Sequence, residues 1–308
     1  MKILHDEDYA RFVGVQESQF ILKASDLTSK LKDRISLGVD GFGDQLPWER
    51  THTQIRFRPG EVSVWAGING HGKSLVLGQA MLWMLPDTKV LIASMEMKPE
   101  ATMERMVKQA SGGPEPTFRF IDTFMTWTDD RLWIYDQLDT VESERILGMI
   151  HYAAVELQVK HIVIDSLMKC GIGTDNYNGQ KEFVDALCFA AKRHDIHVHL
   201  VHHMRKRDKE ESMPDKFDVR GASEIVDLVD NLIIVHRNKK KERMLEAGEN
   251  VSDTFPDAVL GIAKQRHGEW EGRIALWFHK GSQQYTARSI GGVMPWPSPN
   301  VSILEVAC

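Results

Sequence analysis

Eight residues near the start of the chain, 67–74, have the sequence GINGHGKS and the clearest potential for chemistry. Three glycines allow the backbone to turn its N–H groups inward, where they can bind an anion. Lys73 adds a positive charge, and Ser74 adds a hydroxyl group that suits Mg²⁺. The spacing G-x-x-x-x-G-K-S therefore predicts a loop that holds the phosphates of a nucleotide, here called the P-loop.

The residues on either side of the P-loop support this prediction. VSVWA (62–66) is typical of a strand and LVLGQAMLWML (75–85) of a helix, whose N-terminal dipole would face the phosphates. A glycine turn that only caps a helix is the alternative interpretation. We expect ATP to contact the loop and the residue after it, namely Gly67, Ile68, Asn69, Gly70, His71, Gly72, Lys73, Ser74 and Leu75.

Two acidic residues follow apolar strand-like segments. Asp165 ends HIVID (161–165), and we expect it to share Mg²⁺ with Ser74, although an aspartate that caps a helix is the alternative. Glu96 lies in SMEM, just after the strand-like VLIAS, and its carboxylate can polarise an attacking water as a general base. Together with the P-loop, these residues predict nucleotide hydrolysis with ATP and Mg²⁺.

Strand-like and helical segments alternate along the chain, which is typical of an α/β protein with helices on both faces of a mostly parallel sheet. The last two strand-like segments, GRIALWFH (272–279) and QQYTA (283–287), are predicted to form a C-terminal β-hairpin. The predicted strands are 62–66, 89–94, 131–136, 161–165, 197–203, 231–236, 258–264, 272–279 and 283–287, and the predicted helices are 75–85, 99–110, 142–158, 180–194 and 222–229.

The predicted organisation has four parts. These are an N-terminal extension (1–23), a linker region with a helix (24–48), the ATPase domain (49–290) and an irregular C-terminal tail (291–308). In the linker, Leu27, Leu31 and Ile35 form a narrow apolar stripe. Such a helix either packs on its own domain or docks on a neighbouring subunit.

Composition limits the class of protein. The chain has 308 residues, of which 42% are hydrophobic, and a net charge of -6, which argues against a protein that coats nucleic acid over its whole surface. No apolar segment is long enough to span a membrane, and the N-terminus has no signal-peptide pattern. Scattered cysteines, Cys170, Cys188 and Cys308, indicate free thiols in a reducing cytoplasm.

The order and spacing of several segments resemble the ATPase domain of DnaB-type replicative helicases, in particular phage and mitochondrial helicases with a RecA-like core. The segments span roughly residues 24–288 and are GEVSVWAGINGHGKS, VLIASMEM, HIVIDSL, HLVHHMRK, DVRGASEIVDLVDNLIIVHRN and AKQRHGEWEG. The resemblance implies a ring, most often a hexamer, that hydrolyses ATP between subunits, moves 5′ to 3′ on single-stranded DNA and works with a primase.

The resemblance also implies roles for single residues. Glu96 matches the catalytic glutamate and Asp165 the Walker B aspartate. A histidine after the next strand matches the γ-phosphate sensor; VHHMRK offers His202 and His203, and the alignment of HMRK favours His203. Lys264 and Arg266 in AKQRHGEWEG match a K-x-R pair that enters the ATP site of the neighbouring subunit.

Two loops of this family face the DNA, and they correspond here to roughly 168–180 and 204–220. The predicted DNA contacts are Arg205, Lys206, Arg207, Lys209, Arg220, Gly221 and Arg237. Asp208, Glu210 and Glu211 lie between the basic residues, so a solvated charged segment is the alternative. The segment 239–241, Lys-Lys-Lys, is predicted to be an exposed turn.

Two other functions remain open at this point. One is a RecA-type recombination ATPase that forms filaments, and the other is a nucleotide-dependent loader or scaffold that does not unwind DNA. Asn69 and His71 in the P-loop leave the nucleotide preference open. Because the chain starts shortly before the linker, we expect it to lack the primase domain and the N-terminal collar of larger relatives.

Overall fold

Helices cover both faces of one large sheet in the computed structural model, which describes residues 21–204, 213–215, 218 and 222–294. The nine strands in these residues have the order β3-β2-β4-β5-β1-β6-β7-β8-β9. The six strands from β3 to β6 pair in parallel, and β7, β8 and β9 are antiparallel to their neighbours. The strands are β1 Val62–Gly67, β2 Val90–Ser94, β3 Leu132–Ile134, β4 His161–Asp165, β5 His197–His203, β6 Asn231–Arg237, β7 Ala258–Gln265, β8 Gly272–His279 and β9 Gln284–Thr286.

The helices that flank the sheet lie in two layers. In chain order, all the described α-helices are α1 Thr28–Gly41, α2 Lys73–Met84, α3 Pro99–Ser111, α4 Phe118–Thr128, α5 Ser143–Val155, α6 Tyr177–His194, α7 Ala222–Leu228 and α8 Lys239–Glu246. Helices α5, α6 and α7 contribute to one apolar core, and α2, α3 and α4 contribute to the other. The predicted α/β architecture, with a mostly parallel sheet and a C-terminal hairpin, is confirmed.

The central strands are apolar on both faces because each face is covered by helices. Strands β1, β2 and β4 are buried along their whole length. This burial explains why nearly continuous apolar sequences formed strands, and why a purely alternating pattern was not required. All nine predicted strands occur, with ends that differ from the prediction by no more than about two residues.

Two helices were not predicted, and one prediction was wrong. Helix α4 is capped by Thr117, whose hydroxyl accepts a hydrogen bond from the backbone of Phe120. The lysines at 239–241 were predicted to form an exposed turn, but they begin α8, which is capped by Asn238. Lys241 is buried and donates from Nζ to the carbonyl of Phe255, so it holds the helix against the following loop.

The chain divides into two compact units, residues 1–42 and 43–308. In the first, a short 3₁₀ turn (Ala24–Leu27) leads into α1, so the predicted linker helix is present. Its stripe residues Leu27, Leu31 and Ile35 are 42%, 55% and 69% exposed. No helix in the part of the chain that the structure describes is both long enough and apolar enough to cross a bilayer.

Hydrogen bonds link histidines of β4 and β5 inside the sheet. Trp65 Nε1 donates to His199 Nδ1 at 3.1 Å, and His199 Nε2 lies 3.0 Å from His161 Nδ1. His161 Nε2 in turn lies 2.9 Å from Asp44 Oδ2. Because an indole N–H only donates, Nδ1 of His199 is the acceptor, so the neutral His199 ring carries its hydrogen on Nε2 and can donate it to His161 Nδ1.

We expect the protein to lose stability in acid because of two buried histidines of β5, His197 and His199. Burial lowers the pKa of His197 and His199 well below the usual 6.5, so the unfolded chain takes up protons that the folded chain does not. The free energy of unfolding should fall by about 1.4 kcal/mol per such histidine between about pH 7.5 and about pH 5.5. Chemical denaturation at the two pH values measures this loss.

A His199→Gln variant provides the comparison, since it should lose less stability over this pH range than the wild type. An equal pH dependence in the His199→Gln variant and the wild type would contradict the assignment.

Candidate functional site

Five of the predicted site residues meet at the carboxyl edge of the parallel strands. This edge is where ligands bind in open α/β sheets, because loops and helix N-termini converge there. The P-loop follows β1, Glu96 follows β2, Asp165 ends β4 and His203 ends β5. The residues in question are Lys73, Ser74, Glu96, Asp165 and His203.

The backbone of the P-loop requires glycine at its two ends. A Cβ at Gly67 would lie 2.5 Å from the carbonyl oxygen of Val235, and Gly72 has a positive φ of +84°. Helix α2 begins at Lys73, directly after Gly72. Within the described part of the chain, the N–H groups of Gly70, Gly72, Lys73 and Ser74 make no backbone hydrogen bond. These donors and the helix N-terminus form a cradle for phosphate.

Strand β9 covers the turn at Gly72. A Cβ at this glycine would lie 2.5 Å from the hydroxyl oxygen of Tyr285. Tyr285 is held by its backbone, which exchanges two hydrogen bonds with the Gln79 side chain and accepts a third from Trp48 Nε1. Burial raises the pKa of Tyr285 to about 12, so a neutral hydroxyl lies beside the P-loop. Tyr285 was not predicted from the sequence to be part of the site.

His71 fixes the P-loop to the end of β6. The backbone N–H of Arg237 donates to His71 Nδ1 at 3.2 Å, and the His71 and His236 rings are 5.3 Å apart. Burial lowers the pKa of His71 to about 4, with His236 as a second cause, so the ring is neutral near pH 7. Among the remaining predicted ATP contacts, Ile68 is buried, whereas Asn69 and Gly70 are exposed.

Ser74 and Asp165, predicted to share Mg²⁺, are in direct contact. Ser74 Oγ donates to Asp165 Oδ2 at 2.5 Å. Burial raises the pKa of Asp165, because a buried carboxylate with one hydroxyl partner is poorly solvated. A cation bound next to Asp165 would favour the ionised form of its carboxyl group.

The oxygen atoms of this pair fit Mg²⁺. This ion prefers hard oxygen ligands and usually takes only one or two from the protein, while phosphates and water complete the octahedron. Across the residues that the structure describes, no three His, Cys, Asp or Glu side chains form a metal cage. The Ser74–Asp165 pair therefore suits an Mg²⁺ ion that is also bound by the phosphates of a nucleotide.

Lys73 lies at the mouth of the P-loop. Its Nζ donates to the carbonyls of Gly67 and Ile68 at 3.0 and 3.2 Å, and it lies 3.5 Å from His203 Nδ1. Burial lowers the pKa of Lys73, while the charges of Asp165 and Glu96 oppose this effect. An anion at the loop would add a negative charge to the two carbonyl partners of the buried ammonium group.

Glu96 faces His203 and Ser166. Its Oε1 lies 3.7 Å from His203 Nε2 and accepts a hydrogen bond from Ser166 Oγ at 2.9 Å. The His203 imidazole, supported by Ser166, lowers the pKa of Glu96 to about 2. The carboxylate is therefore ionised at neutral pH. Ser166 was not predicted, although it directly follows Asp165 in the sequence.

The two histidines that the sequence left open lie in different surroundings. His203 lies between Lys73 and Glu96, and its side chain is 15% exposed. His202 is 2% exposed and belongs to the buried part of β5. The geometry favours His203 as the residue next to a γ-phosphate.

Lys264 and Arg266 lie at the opposite edge of the sheet, against the C-terminal end of α7. Lys264 Nζ donates to the carbonyls of Val226, Asp227 and Val229 at 2.6, 3.1 and 2.8 Å. Arg266 Nη2 donates to carbonyls at the end of the same helix, at 2.9, 2.9 and 3.4 Å. Cations are favourable there because the helix dipole is negative at this end.

One predicted DNA contact can be placed. Arg237 ends β6, is exposed, and forms an ion pair with Glu242 of α8. The other predicted DNA contacts, Arg205, Lys206, Arg207, Lys209, Arg220 and Gly221, lie outside the described residues.

Comparison with known proteins gives one family and one curated relative. Residues 29–209, more than half of the chain, match the model of the AAA domain family. The chain is 24% identical over 219 aligned residues to the Twinkle homolog protein, chloroplastic/mitochondrial, of Arabidopsis thaliana. The alignment covers 64% of this chain and 31% of that protein, so the chain spans about a third of that relative.

Solved structures share the fold. A structure described as an ATPase domain matches with a TM-score of 0.71 and 14% identity, over 85% of this chain and 98% of that one. A DnaB-like replicative helicase, whose structure was described with its interactions with primase, matches with a TM-score of 0.64 and 15% identity. That match covers 86% of this chain and 67% of the other. At these identities the likeness concerns the fold.

Proposed function

Because the chain belongs to the AAA domain family and has the fold of DnaB-type helicase ATPase domains, we propose that it is a helicase motor driven by ATP. In this proposal it forms a ring, most simply a hexamer, and moves 5′ to 3′ on single-stranded DNA. We also propose that it works in the cytoplasm with a primase, a partner named for one protein of the same fold.

The observation that carries the proposal is the separation of the P-loop from Lys264 and Arg266. Gln265 pairs with Asn231, and Asn231 pairs with Ser63 at the start of β1. The P-loop begins at Gly67, four residues and about 13 Å further along the strand. The two cations therefore lie well away from the P-loop of their own chain, as expected if they act on a neighbour's nucleotide.

Within one site, the side chains have separate tasks. The P-loop amides and Lys73 hold the phosphates. Glu96 orients the attacking water and accepts its proton while a new bond forms to the γ-phosphorus and the β–γ bridge bond breaks. His203 lies between Lys73 and Glu96, where it can respond to the loss of the γ-phosphate. Ser74 and Asp165 would hold Mg²⁺, which would supply positive charge next to the phosphate oxygens.

Arg266 and Lys264 differ in whether a hydrogen-bond donor of the side chain is still available. All three ammonium hydrogens of Lys264 are used by carbonyls of residues 226–229. The Arg266 side chain is 40% exposed, and its Nη1 has no hydrogen-bond partner among the described residues. We propose that Arg266 stabilises the charge of the neighbour's γ-phosphoryl group, while Lys264 fixes the strand end to α7.

Single-stranded DNA would bind in the centre of the ring. The basic residues predicted at 205–220, with Arg237 nearby in sequence, would contact phosphates without reading bases. Binding should then fall steeply with salt.

The exposed apolar stripe of α1 is proposed to dock on the next subunit. A Leu31→Asp variant should weaken assembly, because it introduces a charge into a face that would be buried between subunits. We expect a lower mass by light scattering and a stronger dependence of ATP turnover on protein concentration. Ser29→Asp adds the same charge to an exposed position elsewhere on α1 and is the control. Normal assembly of Leu31→Asp would reject the docking role.

Unwinding of forked DNA duplexes tests the whole proposal. Forks with a 5′ tail on the encircled strand should be opened in the presence of ATP, and forks with only a 3′ tail should not. Single-stranded DNA should also raise ATP turnover. Open helical filaments on DNA in electron micrographs would favour a recombination ATPase. ATP turnover that ignores DNA, with no unwinding, would favour a loader or scaffold.

A further inference from the structure

We infer that Asp230 is the positioning residue for Arg266, holding the guanidinium in the orientation that the neighbouring site needs. This inference rests on the proposed trans role of Arg266. Asp230 lies between the end of α7 and the start of β6, and no role was predicted for it from the sequence.

Asp230 is 3% exposed and binds two parts of the chain at once. Its Oδ2 accepts a hydrogen bond from the backbone N–H of Val62 at 2.9 Å. Its Oδ1 lies 3.2 Å from Arg266 Nε, and its backbone carbonyl accepts from the Arg266 N–H at 2.8 Å. Asp230 therefore links Arg266 to Val62, the first residue of the strand that leads to the P-loop.

The contact with Val62 does not require a charge. A neutral oxygen, such as that of an asparagine amide, could accept the same hydrogen bond. A buried carboxylate is costly unless a cation compensates it. Of the cations in the described chain, Arg266 forms the ion pair with Asp230, so Arg266 accounts for the charge.

The contacts of Arg266 hold two nitrogens of its guanidinium group, Nε and Nη2, and leave Nη1 available. Nε lies 3.2 Å from Asp230 Oδ1 in an ion pair, and Nη2 donates to the carbonyls of Asp227, Leu228 and Val229. Because the guanidinium is planar and rigid, fixing two nitrogens also fixes the third. Nη1 is thus set in advance for an acceptor outside this chain, and such preorganisation is what makes a cation effective in a transition state.

The α7 carbonyls alone would not give this orientation. Lys264 binds two of the same carbonyls, those of Asp227 and Val229, has no carboxylate ion pair among the described residues, and uses all its donors on the helix end. Asp230 is the group that draws Nε of Arg266 to one side and so distinguishes the two cations.

An Asp230→Asn variant tests the inference. The amide oxygen can keep the Val62 hydrogen bond, while its NH₂ group would meet the guanidinium as a second donor. Nucleotide affinity should stay near the wild-type value, whereas the melting temperature should fall because a buried ion pair is broken. The value of kcat should fall by about 10–10²-fold, since small misplacements of a catalytic group have effects of this size. Asp185→Asn, an equal change at an exposed position on α6, is the control and should not change kcat.

Mixing of subunits separates a positioning role from a general structural one. Asp230→Asn spoils the half of the interface that carries Arg266, so mixing it with Glu96→Gln should restore part of the activity. Mixing it with Arg266→Ala should restore none, because both variants damage the same half. Recovery with Arg266→Ala, or wild-type kcat in Asp230→Asn while Arg266→Ala is inactive, would overturn the inference.

A second variant covers the case in which Asp230→Asn does not fold. Arg266→Lys keeps the charge but has no Nε, so it cannot both pair with Asp230 and present a free nitrogen. We expect a similar loss of kcat, and full activity would overturn the inference. If Arg266→Ala itself retains full activity, the proposed function fails instead, since Arg266 would then have no role in trans.

Discussion

A Glu96→Gln variant should bind ATP as tightly as the wild type and hydrolyse it about 10²–10⁴ times more slowly. The amide keeps the shape of the side chain and can still accept the hydrogen bond from Ser166. It cannot accept a proton from the attacking water, so only the chemical step is lost. Binding of a fluorescent ATP analogue and single-turnover hydrolysis measure the two effects separately.

Glu100→Gln provides the matched control. Glu100 is exposed in the first turn of α3, four residues after Glu96, and the same chemical change there should leave turnover unchanged. His203 and Ser166 lower the pKa of Glu96 to about 2, so in the wild type the carboxylate is ionised even well below pH 4.5. Normal hydrolysis by Glu96→Gln would mean that another group activates the water.

Arg266→Ala should reduce turnover by about 10³-fold or more, the usual effect of losing an arginine that stabilises the transferred phosphoryl group. Its own P-loop is untouched, because Arg266 lies at the other edge of the sheet. ATP binding by isolated protomers should therefore survive. Arg119→Ala, at an exposed position on α4, is the control and should retain full turnover.

Mixed rings test whether the site is shared between subunits. Equal amounts of Arg266→Ala and Glu96→Gln should give intact glutamate–arginine pairs at about one interface in four, if subunits mix at random in a cyclic ring. Turnover of the mixture should then exceed that of either variant alone. Mixed rings that form, as shown by mass measurement, but remain inactive would place the whole reaction within one subunit.

Most of the fold was predictable because its central strands are continuously apolar and lie between helical segments. Helix α4 was missed since FRFIDTFMTWT is rich in aromatic residues and threonine, which favour strands. Its helical spacing shows only in Phe120, Phe124 and Thr128, which are buried. Helix α8 was missed because it is stabilised by an asparagine cap and by contacts of Lys241 with residues 255–257.

The part of the candidate site around the P-loop was predictable from the spacing of residues in the sequence. The P-loop, Glu96 and Asp165 each follow a strand, and parallel strands bring their carboxyl ends together. The resemblance left two histidines open, and the position of His203 between Lys73 and Glu96 distinguishes them. Tyr285 and Asp230 were not predictable, because their contacts depend on strand pairing between distant parts of the chain.

The cover that Tyr285 forms over Gly72 has a consequence for the order in which the protein is made. The P-loop is synthesised early, whereas β9 is the last strand of the sheet among the described residues. Until β9 has been synthesised, the loop therefore has its glycines and its lysine but lacks the side chain that covers Gly72. We therefore expect nucleotide to bind the complete domain, and we do not expect it to assist the folding of the first half of the nascent chain.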